Sequence, residues 1–94
     1  MFIIILTYIK PLETINFYLS MHREFLDEGY KNNFFVASGP QNPRTGGIII
    51  SQLKSLEQLK ALLKLDPFSI HNVAEYEIIN FIPTKYHTNF AFFV

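Results

Sequence analysis

The middle of the chain reads FFVASGPQNPRTGGIII (residues 34–50). Two short apolar runs, at residues 34–37 and 48–50, flank a segment rich in Asn, Pro, Thr and Gly. Apolar runs of this length between turn-forming residues are typical of β-strands, and residues 41–47 favour a hairpin connection. Ser38, Gly39 and Pro40 are interpreted as the turn that ends the first of these strands.

A helix is predicted on each side of this hairpin. Upstream, residues 12–28 have a helical apolar face made of Ile15, Tyr18, Leu19, His22, Phe25 and Leu26. Gly29 is expected to end this helix in a left-handed conformation. Downstream, Ser55 and Gln58 form a capping box, and the leucine-rich helix that follows breaks near Asp66-Pro67. One more helical turn is predicted within residues 68–73.

Apolar, β-branched segments at residues 2–9 and 76–82 predict the first and the last strand along the chain. The predicted order is therefore β, α, β, β, α, β. Right-handed crossovers place both helices on one face of a four-stranded antiparallel sheet. The sequence thus predicts an α+β fold of the ferredoxin-like βαββαβ plait type.

The composition favours association of the chain with itself. The chain has 94 residues, of which 49% are apolar and 16% aromatic, and one soluble domain over residues 1–94 is expected. Because the helices cover only one sheet face, we expect a homodimer whose sheets pack face to face. The tail, residues 84–94, carries Phe90, Phe92 and Phe93. It is expected to be ordered, packed on the partner subunit or paired with a sheet edge.

Charge and cysteine content exclude several classes of function. Eight Lys and Arg residues balance eight Asp and Glu residues, and no basic block is present to bind nucleic acid or a membrane surface. The apolar start, residues 1–6, is interpreted as a buried strand and not a signal sequence, because no basic residue precedes it. The chain has no cysteine, which excludes a disulfide framework and fits a cytoplasmic location.

No metal or cofactor is expected from the sequence. His22, His71 and His87 have no spacing known for metal ligands. Gly46-Gly47 lacks the Lys-Ser/Thr of a phosphate-binding loop and precedes a strand.

Four features in order carry a family resemblance: His22 within HREFL, Gly29 after that helix, Ser38-Gly39-Pro40 after the second strand, and Asp66-Pro67-Phe68 after the second helix. With them the chain resembles the YciI-like (YCII-related) family over about residues 1–83. The resemblance implies a dimeric α/β-barrel related to muconolactone isomerase. It also implies a catalytic His–Asp pair, which is His22 and Asp66 in this sequence. One branch of the family removes chloride from chlorinated hydroxyquinones.

The candidate site residues each have a structural alternative. By its pattern alone, His22 is a core or interface histidine; its functional role is proton transfer. Asp66 fits a helix N-cap with Pro67 at the first helical position, which is compatible with orienting an imidazole. Ser38, Gly39 and Pro40 form a turn or contact a small ligand. For Arg44 and Tyr8, a solvated loop charge and a half-buried strand tyrosine are favoured over contacts with a ligand.

Two functions remain open at this point. One is a small cofactor-independent enzyme of the lyase or isomerase type that acts on a small cyclic or aromatic molecule. The other is a non-catalytic dimeric module that binds a ligand or has a regulatory role. The enzyme requires His22 and Asp66 to lie about 3 Å apart beside an open cavity, and the binding module does not.

Overall fold

A computed structural model describes all 94 residues, Met1–Val94. The strands are β1 (Phe2–Tyr8), β2 (Phe35–Pro40), β3 (Gly46–Ser51) and β4 (Ala74–Asn80). The helices are α1 (Leu12–Lys31), α2 (Leu56–Leu63) and α3 (Pro67–Ile70), followed by a 3₁₀-helix at Thr88–Phe93. The strands form one sheet in the order β2-β3-β1-β4, with every neighbouring pair antiparallel. This arrangement confirms the predicted ferredoxin-like plait.

The core lies between one face of the sheet and the helices. Phe2, Ile4 and Leu6 alternate along β1 and are at most 1% exposed. They belong to a buried cluster with residues of all three helices, such as Ile15, Leu59 and Phe68. Because side chains alternate along a strand, Ile3 and Ile5 point to the opposite face, which no helix of the chain covers.

Helix α1 does not end at Gly29, so that prediction is wrong. Gly29 is buried inside the helix, which continues to Lys31, and the left-handed residue is Asn33, with φ 59°. A Cβ at Gly29 would overlap the ring of Phe35 on β2. The glycine is therefore needed for close packing of α1 against β2, and not for a turn.

The interpretation of Ser38, Gly39 and Pro40 as a turn is also wrong. All three lie in β2, where they pair with Ile49, Ile48 and Gly47 of β3. A proline is tolerated there because β2 is an edge strand and Pro40 is its last residue. The connection between β2 and β3 is consequently short, residues 41–45.

The aromatic tail is ordered as the 3₁₀-helix, and none of the residues in that helix is buried. The rings of Phe90 and Phe92 each contact Phe93, with centroid distances of 5.6 and 5.4 Å. Phe92 is 82% exposed. The tail does not pair with the sheet edge of its own chain, so its packing on a partner subunit stays a prediction. None of the helices has the length and apolar character needed to cross a membrane.

Candidate active site

His22 and Asp66 meet in the interior although 44 residues separate them. The His22 Nδ1 atom lies 2.8 Å from the Asp66 Oδ1 atom. His22 comes from the middle of α1, and Asp66 from the junction between α2 and α3. Both helices pack on the same face of the sheet, which brings the two side chains together. His22 is 8% exposed and Asp66 is fully buried.

Asp66 accepts hydrogen bonds from three different parts of the chain. Its Oδ1 atom accepts from the Phe68 backbone N–H at 3.0 Å, which makes Asp66 the N-cap of α3 as the sequence predicts. Its Oδ2 atom accepts from the Tyr76 hydroxyl at 2.6 Å. With His22 as the third partner, both carboxylate oxygens are satisfied without water, which makes burial of this group tolerable.

Tyr76 was not identified from the sequence, although it completes this hydrogen-bond network. Burial raises the pKa of the Tyr76 hydroxyl, and the neighbouring Asp66 carboxylate raises it further. The hydroxyl therefore stays protonated and donates to Asp66. The only signal of Tyr76 in the sequence is a tyrosine at the start of an apolar strand.

The orientation of the His22 ring is fixed from two sides. Phe68 stacks on it in parallel, with a centroid distance of 4.0 Å and an interplanar angle of 4°. Asp66 holds the edge of the ring at Nδ1. Because Asp66 also caps the helix that carries Phe68, one carboxylate supports both restraints.

The second ring nitrogen of His22 faces the cavity. Nε2 has no hydrogen-bond partner in the chain. Every buried polar side-chain atom of the chain has a partner, so an atom without one is not buried. Nε2 is therefore accessible, and His22 lines a cavity of about 500 Å³. This volume lies within the range of small-molecule sites. The cavity lies between α1, α3 and the sheet.

Ser38, Gly39 and Pro40 all line this cavity. The Ser38 hydroxyl lies 2.6 Å from the Tyr30 hydroxyl of α1. Ser38 shares the face of the sheet that packs against the helices, because it pairs with buried Ile49. A Cβ at Gly39 would meet open space, so the fold itself does not require glycine at this position.

Arg44 and Tyr8 line the cavity as well, and Tyr8 is the half-buried strand tyrosine that the sequence favours. Arg44 is half-buried, and its Nη2 atom donates to Asn16 Oδ1 at 2.7 Å. Its guanidinium carbon lies 5.9 Å from the centroid of the Tyr8 ring, a cation–π distance. The sequence places Arg44 in a loop but gives no sign of the contacts that turn it inward.

No three His, Cys, Asp or Glu side chains lie close enough together to hold a metal ion. The polar groups that face the cavity are instead an imidazole, hydroxyl groups and guanidinium groups. These groups can exchange protons and donate hydrogen bonds to a small molecule.

Comparison with solved structures finds the same fold in an enzyme. The chain superposes on 5-chloro-2-hydroxyhydroquinone dehydrochlorinase from Burkholderia phenoliruptrix AC1100, solved in complex with 2,5-dihydroxybenzoquinone, with a TM-score of 0.72. The likeness covers 87% of this chain and 94% of the other, at 16% sequence identity. No curated protein sequence matches the chain at a significant level. The sequence matches the YCII-related domain over residues 1–82, and the chain therefore belongs to that family.

Proposed function

We propose that the chain is a small enzyme of the lyase or isomerase type, with His22 as its acid–base residue and Asp66 as the residue that positions it. The observation that carries this proposal is the 2.8 Å contact between His22 Nδ1 and Asp66 Oδ1, in a side chain that lines the cavity and whose Nε2 has no partner in the chain. This geometry supports the enzyme over a non-catalytic binding module.

The hydrogen bond to Asp66 selects the reactive atom. With Nδ1–H donating to the carboxylate, a neutral imidazole carries its lone pair at Nε2. Nε2 then takes a proton from a substrate in the cavity, and Asp66 stabilises the imidazolium that forms. In an isomerisation the proton returns to another atom of the same molecule. In an elimination the released electron pair expels a leaving group such as halide. Neither reaction needs a cofactor.

The walls of the cavity favour a small cyclic or aromatic substrate. Leu19, Leu26 and Phe68 give it an apolar surface, and Ser38, with Gly39 and Pro40, supplies polar contacts on the side of β2. The solved relative of the same fold binds 2,5-dihydroxybenzoquinone, a small cyclic molecule. The substrate in the name of that relative, 5-chloro-2-hydroxyhydroquinone, is a suitable first test compound for this chain.

The test uses chloride release from 5-chloro-2-hydroxyhydroquinone, with binding of 2,5-dihydroxybenzoquinone measured in parallel. His22→Gln should lower the rate by about 10²–10⁴-fold, the usual contribution of a general acid–base group, while the quinone still binds. Asp66→Asn is the sharper variant. Its amide oxygen can still accept from Phe68 N–H and His22 Nδ1–H, and its NH₂ group can donate to the Tyr76 hydroxyl.

Asp66→Asn therefore removes the charge and keeps the geometry, since Asn and Asp cap helices about equally well. We expect a lower rate, a melting temperature lowered by the loss of the acceptor for the Tyr76 O–H, and unchanged binding of the quinone. A rate that survives His22→Gln contradicts the proposal. Binding without turnover of the chlorinated compound favours the non-catalytic module.

We also propose that the chain acts as a homodimer. The sheet face opposite the helices carries Ile3, Ile5, Ile48 and Ile50, which the register of β1 with β3 places side by side. Thr7, Glu75 and Glu77 lie beside them on the same face. An apolar centre with polar groups at its margin is the usual composition of a protein interface. A second copy of this face is the partner that the pattern supports.

A further inference from the structure

Both arginines of the chain, Arg23 and Arg44, line the cavity that contains His22. None of the six lysines lines it, and no Asp or Glu side chain does so either. Asp66 lies behind His22, fully buried, and is not part of the cavity wall. The accessible charges of this cavity are therefore exclusively positive.

Arg44 is held at the cavity by neutral groups. Its loop is tied to the end of β1, because the backbone N–H of Tyr8 donates to the Thr45 carbonyl at 3.0 Å. Its guanidinium group donates one hydrogen bond to Asn16 and lies over the ring of Tyr8. A guanidinium group has five N–H donors, and Arg44 uses one of them inside the chain. The remaining donors and the full positive charge are available to a ligand.

Arg23 follows His22 directly on α1 and has no ion pair in the chain. The sole contact between a basic side chain and a carboxylate is that of His22 with Asp66. Arg23 is exposed at its outer side and lines the cavity at its inner side. Two unneutralised guanidinium groups thus border a cavity whose other walls are mostly apolar, which is a suitable environment for a ligand that is apolar in one part and anionic in another.

We propose that the cavity selects ring compounds that carry a delocalised oxyanion, either a carboxylate or an ionised phenol or enol. Arg44 binds the oxyanion through its free N–H donors, Arg23 adds positive charge, and the ring lies against Leu19, Leu26 and Phe68. Guanidinium groups suit this role because their planar fork matches the two oxygens of a delocalised anion. This inference names the substrate class of the proposed enzyme and rests on that proposed function.

The experiment is calorimetric titration of the full chain with matched pairs of ring compounds. Benzoate and neutral benzamide test the carboxylate. Ionised 4-nitrophenol and neutral 4-nitroanisole test the phenolate. We expect at least one anion to bind about tenfold or more tightly than its neutral counterpart, the effect of one charge-assisted hydrogen bond. Preference for benzoate alone, for the phenolate alone or for both supports the proposal and identifies the source of the charge.

Arg44→Met should abolish most of this preference and leave the affinity for the neutral compound unchanged. Lys60→Met removes an equal charge from an exposed position on α2 and is the matched control, which should keep the preference. Arg44→Lys should retain only part of the preference, because lysine keeps the charge but lacks the fork. Equal affinities for anion and neutral compound overturn the proposal, as do the absence of binding by either anion and a preference that survives Arg44→Met.

His22→Gln separates this inference from the proposed reaction. That variant should keep the preference for anions, because the arginines supply the charge that the ligand meets. An unmodified chain that prefers anions but catalyses no reaction contradicts the enzyme and supports the anion site. A chain that catalyses chloride release with no preference for anions contradicts only the anion site.

Discussion

At the scale of single residues, Asp66 is the position with the most hydrogen-bond partners in the buried site. Its two carboxylate oxygens cap α3 through Phe68 N–H, hold His22 Nδ1, and accept from the Tyr76 hydroxyl. The side chain is fully buried, so each of these bonds replaces a bond to water that folding removes. Loss of the Tyr76 hydroxyl leaves the buried Oδ2 atom without a donor, at a cost of about 1–3 kcal/mol, whereas Oδ1 has two donors.

Tyr76 gives the stability of the molecule a characteristic dependence on alkaline pH. Burial and the Asp66 carboxylate raise the pKa of Tyr76 above its ordinary value of 10.0. The contribution of a group with a raised pKa is fully present below the unfolded value and is lost as pH rises above it. We therefore expect the parent chain to be more stable than Tyr76→Phe at neutral pH, and this advantage to shrink above about pH 10, by at most about 1.4 kcal/mol per pH unit.

Urea unfolding of the two proteins between about pH 7 and about pH 11 measures this difference. Tyr86→Phe is the matched control, because Tyr86 is 48% exposed and has no partner near Asp66. If the difference in free energy of unfolding between the two proteins is constant across this range, the Tyr76 hydroxyl has the same pKa in the folded and unfolded states, which contradicts the prediction.

The family resemblance implies the pair His22 and Asp66, whereas the pattern alone indicates a core histidine and a helix cap, and the residues around the pair could not be predicted. The apolar stripe of α1 places His22 toward the sheet, and Asp66-Pro67 is a recognisable start of a helix. The contribution of Tyr76 depends on the register of β4 against β1, which pairs it with Leu6. That of Arg44 depends on the hydrogen bond from Tyr8 that ties its loop down. Both contacts are long-range, and no local pattern encodes them.

At the scale of secondary-structure elements, two glycines determine how closely their neighbours pack. A Cβ at Gly29 of α1 would overlap the Phe35 ring of β2, and a Cβ at Gly46 of β3 would overlap the backbone carbonyl of Leu6 on β1. A ring can shift, whereas a backbone carbonyl in the middle of the sheet cannot move without breaking its pairing. Gly46 is therefore the less replaceable of the two residues.

Alanine substitutions test this order directly. Gly29→Ala should destabilise the fold by about 1–3 kcal/mol, as overpacking of a core does, and Gly46→Ala should do so by more. Gly39→Ala is the control, since a Cβ there meets open space, and it should change stability by less than about 0.5 kcal/mol. Thermal unfolding of the three variants gives the comparison, and equal melting temperatures for all three would refute it.

The number and order of the elements could be predicted from the sequence, whereas two boundaries could not. Hydrophobic spacing identifies α1, the cap at Ser55 locates the start of α2, and both agree with the structure. The predicted end of α1 is too early because glycine commonly ends helices, whereas Gly29 is needed for packing. Strand β2 continues through Ser38, Gly39 and Pro40 because β3 provides pairing partners, which outweighs their local preference for a turn.

At the scale of the whole molecule, the sheet has one face packed against helices and one face without cover. The uncovered face carries four isoleucines side by side, Ile3, Ile5, Ile48 and Ile50. Each of them is half-buried. The aromatic tail is likewise uncovered in the single chain. Two apolar surfaces of this kind on a chain of 94 residues favour self-association.

Ile50→Lys tests the proposed dimer. A lysine at the centre of the uncovered face would place a charge in the interface, and we expect the dimer to dissociate to monomers in sedimentation equilibrium at micromolar concentration. The control is Leu65→Lys, which changes an apolar residue that is 65% exposed and lies outside the sheet. A parent chain that is already monomeric, or an Ile50→Lys variant that remains a dimer, rules out this interface.

The double use of Asp66 has a consequence for how relatives of this chain are compared. Natural selection for folding alone would retain an aspartate at the start of α3, because the helix needs its cap whether or not any reaction takes place. His22 has no such second duty, since a leucine or methionine would fill the same place on the apolar side of α1. A descendant that abandoned the chemistry would therefore lose its histidine first and keep its aspartate. In an alignment of this family, the position of His22 is the one that would separate catalytically active members from inactive ones.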